Sequence, residues 1–357
     1  MKMEYPDYYE RFACIGPACT DSCCARREID VDEESYYRYL TVQGPFGDRI
    51  RGCLHEEVTE GEDGPETAWS FPLTEDRRCP FLNDEDLCDM YTELGHDKLP
   101  RTCREFPRGD AVVGNYHQID VALACPEANR LIFEDLDHPV KYVMRDEPTG
   151  VPALDRYCAP EEEKLEAAEW GTLLDLLEER NQILEVLQDG SFPVSERYAA
   201  LFGLSAEYGY DPAAETRSDL IARMDRMELL DERWSQVYDP VKRAADTGFP
   251  SAHVLEQVAE LPPGTALADA TPEQAAEAEL LRFLVYLVFR YYIDGYFSKE
   301  MTSFYRLLLR GFHSMRLLLA ALSPEDFANA AVRRDLYHVW SREVEHSPEN
   351  FYLMKEE

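Results

Sequence analysis

Residues 271–297 read TPEQAAEAELLRFLVYLVFRYYIDGYF. Thr271 and Gln274 have the spacing of a capping box, and Pro272 suits the first helical position. A long helix through Phe297 is predicted. Its most apolar run, Phe283 to Phe289, lies between Arg282 and Arg290. That run is far below the ~20 residues a membrane span needs. Downstream, Phe304, Leu308, Phe312, Met315, Leu319 and Leu322 form a second stripe. Upstream, Trp170, Leu173, Leu174, Leu177 and Leu184 share one helical face. Ser323-Pro324 and Ser347-Pro348 have the form of two further helix starts, and Leu261 to Ala270 (LPPGTALADA) reads as a loop. No internal repeat is visible. These stripes read as core and carry no chemistry of their own.

The N-terminal third is different. Cys14, Cys19, Cys23, Cys24, Cys53, Cys79, Cys88, Cys103 and Cys125 all precede residue 135, and only Cys158 follows. Short strands are expected where Trp69, Phe71 and Leu73 alternate, and where Ile119, Val121 and Leu123 alternate after the hairpin turn Gly114-Asn115. Glu60 to Pro65 (EGEDGP) reads as an exposed acidic loop. Pro126 suits the start of a short helix. Asp137-His138-Pro139, Pro148-Thr149-Gly150 and Pro152 interrupt any regular pattern. The expected organisation is a cysteine-rich metal or iron–sulfur module over 1–135, a connector over 136–160 and a helical domain over 161–357. The fold class is mainly α, with a few short strands in the first module.

The chain has 357 residues, with 36 Lys and Arg against 71 Asp and Glu, a formal charge of −35. That balance argues against nucleic acid or an anionic membrane as partner, since both need positive surface. Hydrophobic residues make up 45%, enough for a core despite the acidity. Lysine is scarce. An acidic, lysine-poor surface suits a cationic partner; it also serves simply to keep a protein soluble. Met1 to Phe12 holds acids and tyrosines with no apolar signal region, so a cytoplasmic location is expected.

In a reducing compartment, clustered cysteines read as a metal site more readily than as disulfides. The candidate ligands are Cys14, Cys19, the pair Cys23-Cys24, Cys79 and Cys88 of the CPFL…LC segment, Cys103 of CREFPR, and Cys125 of CPE. Thiolates bind both zinc and iron–sulfur clusters, and this spacing matches neither paired CxxC modules nor common ferredoxin runs. Disulfides and merely buried thiols remain the other readings; the last suits Cys53 and Cys158 best. Arg26, Arg27, Arg77, Arg78, Arg101, Arg104 and Arg108 lie close to these cysteines in sequence. They can stabilise thiolate charge, or pair with acids such as Glu28 or Glu105.

Phe12-x-Cys14-x4-Cys19-x3-Cys23-Cys24, then CPFL with a following LC, CRxFPR and ACPE resemble the flagellin lysine-N-methylase family (FliB-type). The N-terminal module is similar to that of the YkgJ-type zinc- or iron-chelating cysteine-cluster proteins. Phe289-Arg290-Tyr291-Tyr292, and Ser341 to Ser347 (SREVEHS) with Asn350, are similar to patches of the methylases. The resemblance implies methyl transfer from S-adenosylmethionine to surface lysines of flagellin. It also implies an iron–sulfur cluster, 4Fe–4S in form, held by the N-terminal cysteines. The alternative is a non-catalytic zinc- or iron-chelating binding protein. Residues themselves show no GxGxxG loop after a strand and no CxxxCxxC run. Tyr291 and Tyr292 are candidates to line a lysine channel, or core. Glu345 or His346 is a candidate proton acceptor, or a solvated helix end. Arg290 is a candidate carboxylate binder, or half of an internal ion pair. Catalytic and cofactor-binding residues are left unassigned.

Overall fold

In the computed structural model, which describes residues 2–25, 29–61, 64–114, 116–145, 167–297 and 301–357, the segment after Thr271 is one continuous helix. The capping box forms as read: Gln274 N donates to Thr271 Oγ1 at 3.3 Å, and Thr271 N donates to Gln274 Oε1 at 3.0 Å. In chain order the elements begin with β1 (Lys2–Pro6), β2 (Ile29–Val31), α1 (Glu33–Thr41), α2 (Gly44–Cys53), β3 (His55–Gly61) and β4 (Gly64–Phe71). There follow α3 (Asp89–Leu94), α4 (Arg101–Glu105), β5 (Arg108–Val113), β6 (Tyr116–Val121), α5 (Pro126–Ile132) and β7 (Tyr142–Arg145). The rest is helical: α6 (Ala167–Gln188), α7 (Val194–Glu207), α8 (Arg217–Met224), α9 (Glu232–Thr247), α10 (His253–Glu256) and α11 (Pro272–Phe297). It ends with α12 (Met301–Ala320), α13 (Pro324–Ala328), α14 (Ala330–Val344) and α15 (Pro348–Lys355). The protein is mainly α. Among the described residues no helix is long and apolar enough to cross a membrane.

Two compact units do not follow a single cut in the sequence. One comprises residues 1–12, 110–124 and 128–357; the other comprises 13–109 and 125–127.

In the larger unit α11 is the central helix, packed against α6, α12 and α14. Leu280 through Phe289 are buried without interruption, so this helix is apolar all round rather than along one stripe. Ser323 and Ser347 cap α13 and α15, accepting from Asp326 N at 3.1 Å and Asn350 N at 3.0 Å. On α6 the buried face is Leu173, Leu176, Leu177, Arg180, Ile183, Leu184 and Leu187, while Leu174 is 53% exposed. The expected stripe is therefore corrected: Leu173 and Leu174 are ~100° apart and cannot share a narrow face.

A four-stranded sheet, ordered β5-β6-β1-β7, belongs to this unit except at the start of β5. β1 runs parallel to β6 and antiparallel to β7. The N-terminal tyrosines and acids thus form an interior strand. All of β6 is buried, and its strand ends at Val121, before Leu123. Arg180, with no exposed side-chain surface, ties helix to sheet: it donates to Glu4 Oε2 at 2.7 Å and to Gln118 Oε1 at 2.5 Å.

The smaller unit carries a three-stranded antiparallel sheet, ordered β2-β4-β3. Glu60 pairs with Pro65 and Gly61 with Gly64, so the expected acidic loop is the tip of a β-hairpin. Helices α1 and α2 are additions to the expected short strands. Asp32 caps α1, accepting from Ser35 N at 2.9 Å. The core of this unit is built from Ile29, Val31, Tyr39, Ile50, Phe71, Phe81, Met90 and Leu99 around the Cys79 thiol. Cys158, Arg26, Arg27, Asn115 and the segment 148–152 lie outside the described residues.

Candidate functional site

Backbone pairing between segments far apart in sequence brings the Cys24, Cys79 and Cys88 segments of the smaller unit together. Cys79 N donates to Cys24 O at 2.8 Å, and Ala25 bridges Arg78 beside it. A turn follows, with Leu82 N donating to Cys79 O at 3.0 Å. Leu82 bridges Cys88, and the Asn83 side chain holds the loop between them by accepting from Glu85 N and Leu87 N. Cys88 lies just ahead of α3, and Cys103 sits within α4. That helix is anchored where Arg101 N donates to Asp32 Oδ2 at 2.7 Å. Cys19 Sγ donates to Asp21 O at 3.2 Å. Cys125 is buried and belongs to the same compact unit.

The thiols feel one another. A hydrogen bond with Cys23, burial, and the proximity of Cys23, Cys103 and Cys88 push the Cys24 thiol far above its ordinary range. Burial pushes Cys79 up to about 11, with Cys88, Cys53 and Cys23 adding to it. Burial also raises Cys88 and Cys19; Cys23 neighbours both, and Cys14 neighbours Cys19. Cys23 is therefore common to two overlapping sets, one running to Cys14 and Cys19, the other to Cys24, Cys79 and Cys88. Cys53, outside the sequence pattern, is half-buried against the core beside Cys79. No spacing signal points to it.

Free, such thiols stay protonated at neutral pH, and a thiophilic metal is what makes several thiolates compatible in one place. The donor chemistry thus fits zinc or an iron–sulfur cluster. Among the described residues no group of three or more His, Cys, Asp or Glu side chains is already disposed to hold a metal ion. The arginines divide as follows. Arg78 pairs with Asp86 at 2.7 Å, Arg101 pairs with Glu105 at 3.0 Å, and Arg104 donates to Asp97 O at 3.3 Å. These three are engaged by acids and a carbonyl, as the pairing alternative has it.

The larger unit holds a second constellation. The patches 289–292 and 341–347 meet there. Tyr286 OH donates to Glu345 Oε1 at 2.9 Å, Tyr291 OH donates to the same oxygen, and Arg290 Nε lies 3.4 Å from it. Arg290 also pairs with Asp120 of β6. Burial raises the Asp120 carboxyl even against the pull of Arg290. Burial and the Glu345 charge hold the Tyr291 hydroxyl protonated well above its usual range. Glu345 is no solvated helix end, since its side chain is 1% exposed. Arg290 is half of an internal ion pair, and Tyr292 is fully buried with its ring edge-on to Phe304 at 5.2 Å. Asn350 braces the patch, its Nδ2 donating to Glu343 O at 2.8 Å and Glu228 O at 3.0 Å. Asp120 and Tyr286 are additions to the sequence reading. The four-residue spacing of Tyr286 and Arg290 is visible in the sequence; the strand partner is not.

A cleft of about 500 Å³ lies elsewhere in this unit, lined by His138, Gln188, Arg197, Arg282 and the loop 261–267. Arg282 donates to the carbonyls of Ile132, Asp135 and His138, and Arg197 to that of Phe192, rather than to carboxylates. Both guanidiniums are thus spent on the backbone, and Asp137 shares the lining of this cleft of ligand size.

No family model matches the chain, and no solved structure matches it. Curated relatives do. A stretch of 137 residues, 37% of this chain, is 30% identical to the flagellar biosynthetic protein FliU of Salmonella muenchen and covers 77% of it. The chain belongs to the family of FliU and the FliB-type lysine-N-methylases. The lysine-N-methylase of Salmonella typhimurium is 31% identical over 137 residues, and that of Salmonella choleraesuis 29% over 133. In both cases the match spans about a third of the methylase, 32% of its length.

Proposed function

We propose that this protein is a protein-lysine N-methyltransferase that methylates surface lysines of flagellin in the cytoplasm. The methyl donor is S-adenosylmethionine, and the enzyme depends on an iron–sulfur cluster held by Cys14, Cys19, Cys23, Cys24, Cys79, Cys88, Cys103 and Cys125. The observation that carries the reading is the 31% identity to a lysine-N-methylase. The gathered thiols of the smaller unit favour the cluster. A formal charge of −35 suits a substrate that presents lysine. The chemistry asked of the protein is modest. A neutral amine attacks a sulfonium methyl in line, so the protein must align the two, remove one proton and exclude water.

Co-expression with flagellin tests this. The intact mass of flagellin is expected to rise by whole methyl increments. Unmodified flagellin beside a folded, cluster-loaded protein supplied with S-adenosylmethionine overturns the reading and favours a non-catalytic zinc- or iron-chelating protein.

A further inference from the structure

We infer that Glu345 and Asp120 form the seat of the substrate's ε-ammonium and that Glu345 takes its proton, an inference that rests on the methyltransferase reading above. Glu345 Oε1 is occupied by Tyr286, Tyr291 and Arg290. Glu345 Oε2 and Asp120 Oδ2 are buried and have no hydrogen-bond partner. Their side chains are 1% and 6% exposed. Buried carboxylate oxygens without donors are costly, so each calls for a donor.

Charge says what kind. Tyr286, Arg290 and Asp294 recur every four residues on α11 and share one face. Asp294 is exposed, and burial raises its carboxyl against the pull of Lys355 and Arg290. At the open oxygens two carboxylates, Asp120 and Glu345, share one cation, Arg290; two minus one leaves one negative charge over. One organic cation with at least two N–H groups balances both the charge and the open acceptors.

In the step, one N–H bond of the ammonium breaks and its proton goes to Glu345 Oε2. The lone pair left on nitrogen forms a bond to the methyl carbon of the sulfonium co-substrate. The carbon–sulfur bond breaks and its electron pair stays on sulfur. The products are a methylammonium, a neutral thioether and a protonated Glu345, which gives its proton to water. The titratable and charged groups around Glu345 are Tyr286, Arg290, Tyr291 and Asp294 from α11, Asp120 from β6, Lys355 from α15 and the adjacent His346.

Glu345→Gln keeps an acceptor for Tyr286 and Tyr291 but cannot take the proton. With flagellin as substrate near neutral pH, its methylation rate is expected to fall by about 10²–10⁴-fold. The rate should then climb about tenfold per pH unit toward the ordinary lysine pKa of about 10.4, because an amine already neutral needs no base. Glu345→Asp should recover part of the loss. Calorimetric affinity for S-adenosylmethionine should stay within about twofold of the unsubstituted protein, a shift under half a kcal/mol. A loss equal at every pH, a collapse of donor affinity, or a fully active Gln variant overturns the inference. Failure of the unsubstituted, cluster-loaded protein to methylate flagellin at all is a separate result, seen before any variant is made; it removes the methyltransferase reading and this inference with it.

Discussion

Arg333 of α14 grips Glu279 of α11 with both side chains out of water: Nε to Oε2 at 2.8 Å and Nη2 to Oε1 at 3.2 Å. Arg334 reaches the same carboxylate at 3.1 Å but is 30% exposed. Glu279 thus neutralises a guanidinium that has no access to solvent. Glu279→Ala strands that charge and should cost about 3–5 kcal/mol. Arg334→Ala leaves the buried pair intact and should cost about 1 kcal/mol or less. Urea unfolding of the two variants side by side checks this. Equal, small losses would mean that water or a rearranged partner reaches Arg333.

Glu343 gives stability a dependence on pH. It is fully buried, and its oxygens accept from Leu230 N at 3.0 Å and Asp231 N at 3.3 Å. Burial, then the nearby Asp231 and Glu228, push its carboxyl up to about 7 against the pull of those donors. Unfolded, it titrates near the ordinary glutamate value of about 4.3. Between the two, the folded chain keeps a proton that the unfolded chain has released. The contribution is therefore full below the unfolded value and is lost as pH rises through the folded one. Glu343→Gln cannot titrate. Its stability relative to the unsubstituted protein should improve by roughly 3 kcal/mol across that window. Denaturation midpoints at both ends of the window decide it; a difference that stays constant with pH refutes the assignment.

Two helical glycines should respond in opposite directions. A Cβ on Gly295 of α11 would lie 2.7 Å from Phe304 Cβ of α12, so the missing side chain is what lets these helices approach. Gly295→Ala should destabilise by about 1–3 kcal/mol through overpacking. Gly203 of α7 has nothing within 4 Å of the corresponding position. Gly203→Ala should stabilise by about 0.5–1 kcal/mol through helix propensity alone. Thermal unfolding of both variants tests the contrast, and a destabilised Gly203→Ala would contradict it.

What the sequence makes legible here is local. Thr271 with Gln274, and the serines at 323 and 347, are read correctly because a cap needs only residues within one turn. Leu174 is misassigned to the buried face because a stripe of leucines does not say which of two adjacent ones the core takes. The N-terminal strand is missed because Glu4 and Tyr5 look like surface residues until Arg180, 176 positions away, neutralises the acid. The cysteine segments are legible from their spacing, but their convergence depends on pairing such as Cys79 N to Cys24 O. The Arg290–Asp120 pair has no local signature at all. Its arginine can be flagged from sequence, yet nothing near it says whether the partner is a substrate or a strand.

The proposed metal centre predicts different fates for two cysteines of the smaller unit. Cys23 hydrogen-bonds Cys24, and its charge is felt at Cys19, Cys79 and Cys88, so its thiolate is central to the proposed shared metal or cluster. Cys53 adjoins Cys79 but is packed half-buried against the apolar core. A serine oxygen is a harder, poorer ligand for a thiophilic metal than sulfur. Cys23→Ser should therefore lose most of the bound metal when purified without oxygen, and with it any acid-labile sulfide. Cys53→Ser should retain both and lose only about 1 kcal/mol of packing and desolvation. Metal and sulfide content per chain, with a visible spectrum, separates the cases. Iron with equimolar sulfide in Cys53→Ser and neither in Cys23→Ser would favour a cluster at Cys23. Zinc without sulfide would make the centre structural. Equal metal in both variants would mean that Cys23, like Cys53, is a packing thiol, and that the ligands lie among the remaining cysteines.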